Sequence, residues 1–234
     1  MTTRHNRGFA LVETLLALVL GLVMSLALTQ IFITAKSTWL SQTSSASLQE
    51  DARFVLTKMI QEVRLVGMFG CLGSVRDVSL DAGFSSASQA PVQWDARQKS
   101  LILTTAAVGT DKSWHNWVIH TDCAKSATAW SRGRAPSLGP GEFAIAVQRQ
   151  VYRFNEQRGE LTLDGQPLLS NVRAFGVLFG VADSIQAPSI ARYTAQPEPQ
   201  LIRSLRVTLT LFDPADRTRE RSFSVVGSLR NRVG

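Results

Sequence analysis

Gly8-Phe9-Ala10-Leu11-Val12-Glu13-Thr14-Leu15-Leu16-Ala17-Leu18 opens the segment whose reading decides the architecture of this 234-residue chain. From Phe9 to Ala35 the only formally charged side chain is Glu13, and about 20 apolar residues suffice to cross a bilayer. The residues ahead of it, MTTRHNRG, are polar and basic and include Arg4 and Arg7. Arginines at one end of an apolar helix stay cytoplasmic, so the remainder of the chain is expected across the inner membrane.

Three readings of this segment compete: a cleaved secretory signal, a plain membrane anchor, and a leader removed ahead of a retained helix. Ser25-Leu26-Ala27 offers a small-x-small site of the secretory kind, but the apolar run continues past it through Ile31, Phe32 and Ile33. Glu13 separates the other two. An ionisable residue inside a membrane helix costs on the order of 2.5–3.5 kcal/mol and calls for a dedicated partner, which a plain anchor does not supply. A cut between Gly8 and Phe9 creates a free α-amino cation, and the Phe9 amine of a neighbouring subunit can then neutralise Glu13 inside an apolar filament core.

The run from Gly8 to Leu18 resembles the class III signal of type IV pilins and type II secretion pseudopilins. That resemblance implies cleavage between Gly8 and Phe9 by a prepilin peptidase and N-methylation of Phe9. A second likeness extends further along the chain. Leu48-Gln49-Glu50-Asp51-Ala52-Arg53-Phe54-Val55-Leu56, then Arg64-Leu65-Val66-Gly67-Met68-Phe69-Gly70-Cys71, and the ending Phe223-Ser224-Val225-Val226-Gly227-Ser228-Leu229-Arg230-Asn231-Arg232 are similar to the PilW family of minor type IV pilins, with Met68 in place of the usual aromatic residue. This implies a low-abundance subunit that helps initiate pilus assembly near the tip. Its expected partners are other minor pilins, the major pilin, the prepilin peptidase, the inner-membrane assembly machinery and, before assembly, membrane lipid. A pseudopilin of a type II secretion system is the alternative, and an anchored adhesive or DNA-binding module the third reading.

Between Phe9 and Val66 there is no proline and one interior glycine, Gly21, so a single helix of roughly 85 Å is expected. Leu48, Ala52, Val55, Leu56, Met59, Ile60 and Val63 recur at three- and four-residue spacing, with Gln49, Glu50, Asp51, Arg53, Lys58, Glu62 and Arg64 between them. That is an amphipathic stripe seeking a sheet. The glycines Gly67, Gly70 and Gly73 then end the helix; no strand precedes them and no Lys-Ser/Thr follows, which excludes a phosphate-binding loop. Strands are expected over residues 100–108, 116–120, 142–147, 149–154, 160–163, 174–181, 201–211 and 221–228, with a long surface loop over 183–200 carrying Pro188, Pro197 and Pro199. Strands following one long helix give an α+β class: a long N-terminal helix packed on an antiparallel β-sheet head. The expected organisation is a leader over residues 1–8, a membrane and filament-core half-helix over 9–35, an amphipathic half-helix over 36–66, and a periplasmic head over 67–234.

The net charge of +7 permits attraction to polyanions, and Arg4 and Arg7 would leave with the leader. The only two cysteines, Cys71 and Cys123, are expected to form a disulfide in an exported head. Its loop closure would contribute about 4 kcal/mol. His115, His120 and Cys123 lie close in sequence but match no standard zinc spacing, and both histidines are expected on exposed strand or loop. Trp114, Trp117 and Trp130 interleave with Lys112, Lys125, Arg132 and Arg134, a mixture suited to a core or protein interface and, as the lesser reading, to single-stranded nucleic acid. No Ser-His-acid set, paired carboxylates or metal motif stands out, so no catalysis, cofactor or metal is expected.

Overall fold

The computed structural model describes residues 11–107 and 115–229. Helix α1 runs unbroken over Leu11–Leu65, as the absence of proline allows. The chain divides into two units, residues 1–47 and 48–234. In the first unit every described residue from Leu11 to Trp39 is exposed, and a Cβ built on Gly21 would meet nothing within 4 Å.

The second unit begins with the amphipathic end of α1, whose Leu48, Ala52, Val55, Leu56, Met59, Ile60 and Val63 are all buried, as their spacing predicts. Its β-structure forms two sheets. The larger contains β1 (Arg76–Asp77), β2 (Val92–Asp95), β3 (Ser100–Ala106), β4 (Trp117–Thr121), β5 (Ala127–Ser131), β6 (Phe143–Asn155), β7 (Glu160–Leu163) and β8 (Gln166–Leu169), in the order β1-β5-β4-β6-β3-β2 with β7 and β8 attached through β6. The smaller contains β9 (Val172–Val181), β10 (Arg192–Thr194), β11 (Ile202–Leu211) and β12 (Arg221–Ser228), in the order β10-β9-β11-β12. Among the described strands all pairings are antiparallel except β1 with β5. The chain therefore has the α+β, pilin-like architecture of a long N-terminal helix and a β-rich head.

One core joins the helix to both sheets. Val55, Met59 and Val63 of α1 share it with Leu101 and Leu103 of β3, Tyr152 and Phe154 of β6, and alternate residues of β9 and β11. Strand alternation explains the sorting: Leu205, Val207, Leu209 and Leu211 turn inward while Arg206, Thr208 and Thr210 do not. β12 meets the helix at Gly227, where an added Cβ would lie 2.7 Å from Ile60 Cδ1 and 3.0 Å from Val63 Cγ1. A side chain there would force Ile60 and Val63 to shift. At the other end of the contact α1 stops at Leu65. Gly67 adopts φ +75°, the left-handed turn that glycine takes without steric penalty, and Val66 bridges to Thr105 of β3.

Several segments differ from the sequence expectation. The strands expected over 142–147 and 149–154 merge into one strand, β6 (Phe143–Asn155). Its first part pairs with β4 through Val147↔Trp117, and from Val147 onward its other edge pairs with β3 through Val147↔Ala106. A strand shared between two neighbours has no reason to break at Gln148. The expected loop over 183–200 contains β10, which lengthens the edge of β9. Its backbone is gathered by the buried Arg203, whose guanidinium donates to the carbonyls of Ile185 at 2.6 Å, Gln200 at 2.9 Å and Ala187 at 3.1 Å. The short strands β1, β2, β5 and β8 and the helix α2 (Gly83–Gln89) were not expected, being too short to show a period. α2 seats Phe84 in a second core with Ile119, Ala129 and Val147.

Candidate membrane and assembly segment

The exposed half of α1 carries an unusually apolar surface. An 18-residue window within it reaches a mean hydropathy of 2.4 with none of its residues buried, so the helix is long and apolar enough to span a membrane. Leu15, Leu18, Leu22, Leu26, Ile31 and Phe32 are each more than half exposed. Hydroxyls placed in such a segment need partners on the helix itself. Thr14 donates to the Leu11 carbonyl at 2.8 Å, Thr29 to Ser25 at 2.8 Å, and Thr34 to Gln30 at 2.9 Å. These back-bonds give the three threonine hydroxyls an acceptor within the helix.

Glu13 lies in the first turn of the described helix, where the N-terminal end of the helix dipole favours a carboxylate. Among the described residues no ion pair includes it. Gly8 and Phe9, the expected processing residues, lie outside the described residues, as do Lys112 and Trp114.

Cys71 and Cys123 are joined as a disulfide with Cα atoms 5.4 Å apart, linking the segment after α1 to the turn after β4. That turn is built by Asp122, whose carboxylate accepts the backbone N–H groups of Ala124, Lys125 and Ser126. These hydrogen bonds hold the Asp122 carboxyl down at about 2. The two histidines part company. His120 is buried on β4, contrary to the expectation that both are exposed, because neighbouring strands flank it on both edges, at Thr128 of β5 and Ala144 of β6. His115 is half-buried ahead of β4. No cluster of three metal-ligating side chains occurs among the described residues.

The described tryptophans do not form one platform. Trp117 pairs across strands with Ser131, and Trp130 with Val118, so alternation sends the two indoles to opposite faces of the sheet. Trp117 packs edge-on to Phe84 at 6.3 Å, which itself meets Phe69 at 5.4 Å. Lys125, Arg132 and Arg134 are exposed.

Glu62, read from sequence as one of the polar positions between apolar ones, is buried instead. One carboxylate oxygen accepts from Lys58 Nζ at 2.7 Å and Gln150 Nε2 at 3.0 Å, and the other accepts the Tyr152 hydroxyl. Burial first, and then the charge and hydrogen bond of Glu62, push the Tyr152 phenol far above its ordinary range. The signal was present in the spacing, since Val55, Met59, Glu62 and Val66 follow i, i+4, i+7 and i+11 along one face.

Comparison with protein-family models finds no match, and a search of curated proteins finds none either.

Proposed function

We propose that this chain is a PilW-like minor pilin that helps initiate type IV pilus assembly. The observation that carries the reading is the 55-residue helix, apolar and exposed in its first half, with Glu13 in its first turn and with its second half built into a β-rich head. A helix of this kind is a membrane anchor before assembly and a packing element afterwards, since exchanging lipid for neighbouring apolar helices leaves its side chains in equivalent surroundings. In this account the leader through Gly8 is cytoplasmic, the head periplasmic, and Glu13 sets the axial register by pairing with the Phe9 amine of a neighbouring subunit. The Cys71–Cys123 disulfide supports placement in an oxidising compartment. We assign the chain no catalytic activity.

Deletion of the chain tests the assignment. The expected strain loses surface pili and twitching motility while protein secretion continues. A strain with normal pili and defective secretion would instead establish the pseudopilin alternative. Within the chain, Gly8→Leu is expected to abolish processing, read by N-terminal sequencing; a mature N-terminus at Phe9 in that variant would misplace the cut.

A further inference from the structure

The strands that end the two sheets differ in length and protection. β1 has two residues, β10 three, and β2 and β8 four each; β2 follows Pro91 and β8 contains Pro167. β12 ends the smaller sheet with eight residues. It pairs with β11 without a register shift and carries no proline and no charge from Ser222 to Ser228. Free edges are ordinarily kept short or interrupted by proline, bulges or charge, because an unpaired edge is a template for another strand. Past Arg221, β12 has none of these devices.

Register assigns the unpaired groups. Leu229 donates its N–H to the Arg203 carbonyl at 2.9 Å, and the β11–β12 pairing continues from there without interruption. Hydrogen-bonded pairs alternate along an antiparallel ladder, so Phe223, Val225 and Gly227 bond to β11, while the N–H and C=O of Ser222, Ser224, Val226 and Ser228 point away from it. All four of these residues are exposed, and their backbones make no other hydrogen bond among the described residues. The two faces beside the edge are unlike. Phe223 and Val225 lie on the core side and are only partly buried. On the outer side Thr208 donates to Ser224 at 3.3 Å, and the hydroxyls of Thr210 and Ser222 share a hydrogen bond at 2.8 Å.

We propose that β12 receives an extended segment of another protein as an added strand, antiparallel like every other pairing in this sheet. Backbone pairing holds the segment. The alternation of β12 sets its sequence: apolar residues opposite Phe223 and Val225, threonine or serine opposite Ser222, Ser224 and Val226. Charge then selects among the strands that fit. The span Ser222–Ser228 is neutral, whereas Arg219 and Arg221 at the start of β12 are exposed and join no ion pair among the described residues. A segment that is neutral along its length and ends in a carboxylate beside Arg221 complements this distribution, and one ending in lysine opposes it. A second copy is not the occupant. β12 paired with β12 about a two-fold axis would turn the two α1 helices in opposite directions, which two chains anchored in one membrane cannot adopt. That exclusion rests on the membrane reading above; the strand site does not, since β12 belongs to the head.

The test follows backbone amide exchange of the full chain in detergent micelles by NMR. The probe is an N-acetylated, C-amidated octapeptide in which threonine and valine alternate, threonine first, and glutamate comes last. Without it, the Ser222, Ser224, Val226 and Ser228 amides are expected to exchange fast and those of Phe223, Val225 and Gly227 slowly. The peptide is expected to slow Ser224 and Val226 saturably, by about tenfold or more. N-methylation of its third and fifth residues, which face Val226 and Ser224, is expected to abolish that protection. Lysine in place of glutamate is expected to weaken binding about threefold, the scale of an exposed ion pair. Ser224→Pro removes an N–H that β11 does not use, and is expected to abolish binding while Phe223, Val225 and Gly227 stay protected. The proposal is overturned by unchanged exchange at Ser224 and Val226, by equal protection from the N-methylated peptide, by equal binding of the lysine peptide, or by undiminished binding in Ser224→Pro. Protection of the same amides that rises with protein concentration in the absence of peptide would assign the edge to a second copy and also overturn it. None of these outcomes depends on leader cleavage or pilus formation, so the strand site and the minor-pilin reading fail separately.

Discussion

Glu50, Asp51 and Glu13 of α1 are exposed, whereas Glu62 is taken out of water and given three donors. A buried carboxylate so arranged is tolerated only while its partners remain, and each partner is left unmet when the carboxylate goes. Glu62→Ala is therefore expected to destabilise the head by about 2–4 kcal/mol, measured by denaturant unfolding of the full chain in micelles, with Glu62→Gln recovering part of the loss. A loss below about 0.5 kcal/mol, the scale of an ordinary surface substitution, would contradict the network. The same cluster sets a pH dependence. The folded Tyr152 phenol holds its proton well above the unfolded value of about 10. The folded state therefore binds more protons than the unfolded one above that pH, and stability falls as pH rises past about 10 while being unaffected below it. In a Tyr193→Phe background, phenolate absorbance is expected to appear only together with unfolding; its appearance in the folded protein would remove the linkage.

At the scale of elements, the contact of α1 with β12 is a close approach of helix to strand. Gly227 leaves no room for a Cβ beneath Ile60 and Val63, and Gly227→Val is expected to cost about 1–3 kcal/mol through overpacking. Combined with Ile60→Ala, which opens the space above it, the loss should be less than additive; strict additivity of the two midpoints would show that the contact is not shared. The helix was legible in the sequence because its two signals, no proline and a regular apolar spacing, are local. So were β7 and β12, whose bounds match the expectation, and most of β9 and β11. The unbroken β6 was not, because its continuity comes from different partners on its two edges. β10 was hidden among prolines and depends on its pairing with β9, a contact between segments that no local pattern records. The position of Glu62 is on the buried face by helical spacing, while its charge marks a solvated one.

At the scale of the molecule, the apolar half of α1, the head and the disulfide were all readable from Phe9–Ala35, the amphipathic stripe and the two cysteines. The bonding of Glu62 to Gln150 and Tyr152 was not, since the partners stand 88 and 90 positions away in sequence on β6. The account of the whole chain rests on its passage from membrane to filament. Mass spectrometry of the chain recovered from sheared surface filaments tests this directly. A mature N-terminus at N-methylated Phe9, in filaments that also carry the other pilins, is the predicted result. Absence of the chain from the filaments, or its recovery only from the inner membrane with Met1 to Gly8 still attached, would contradict it.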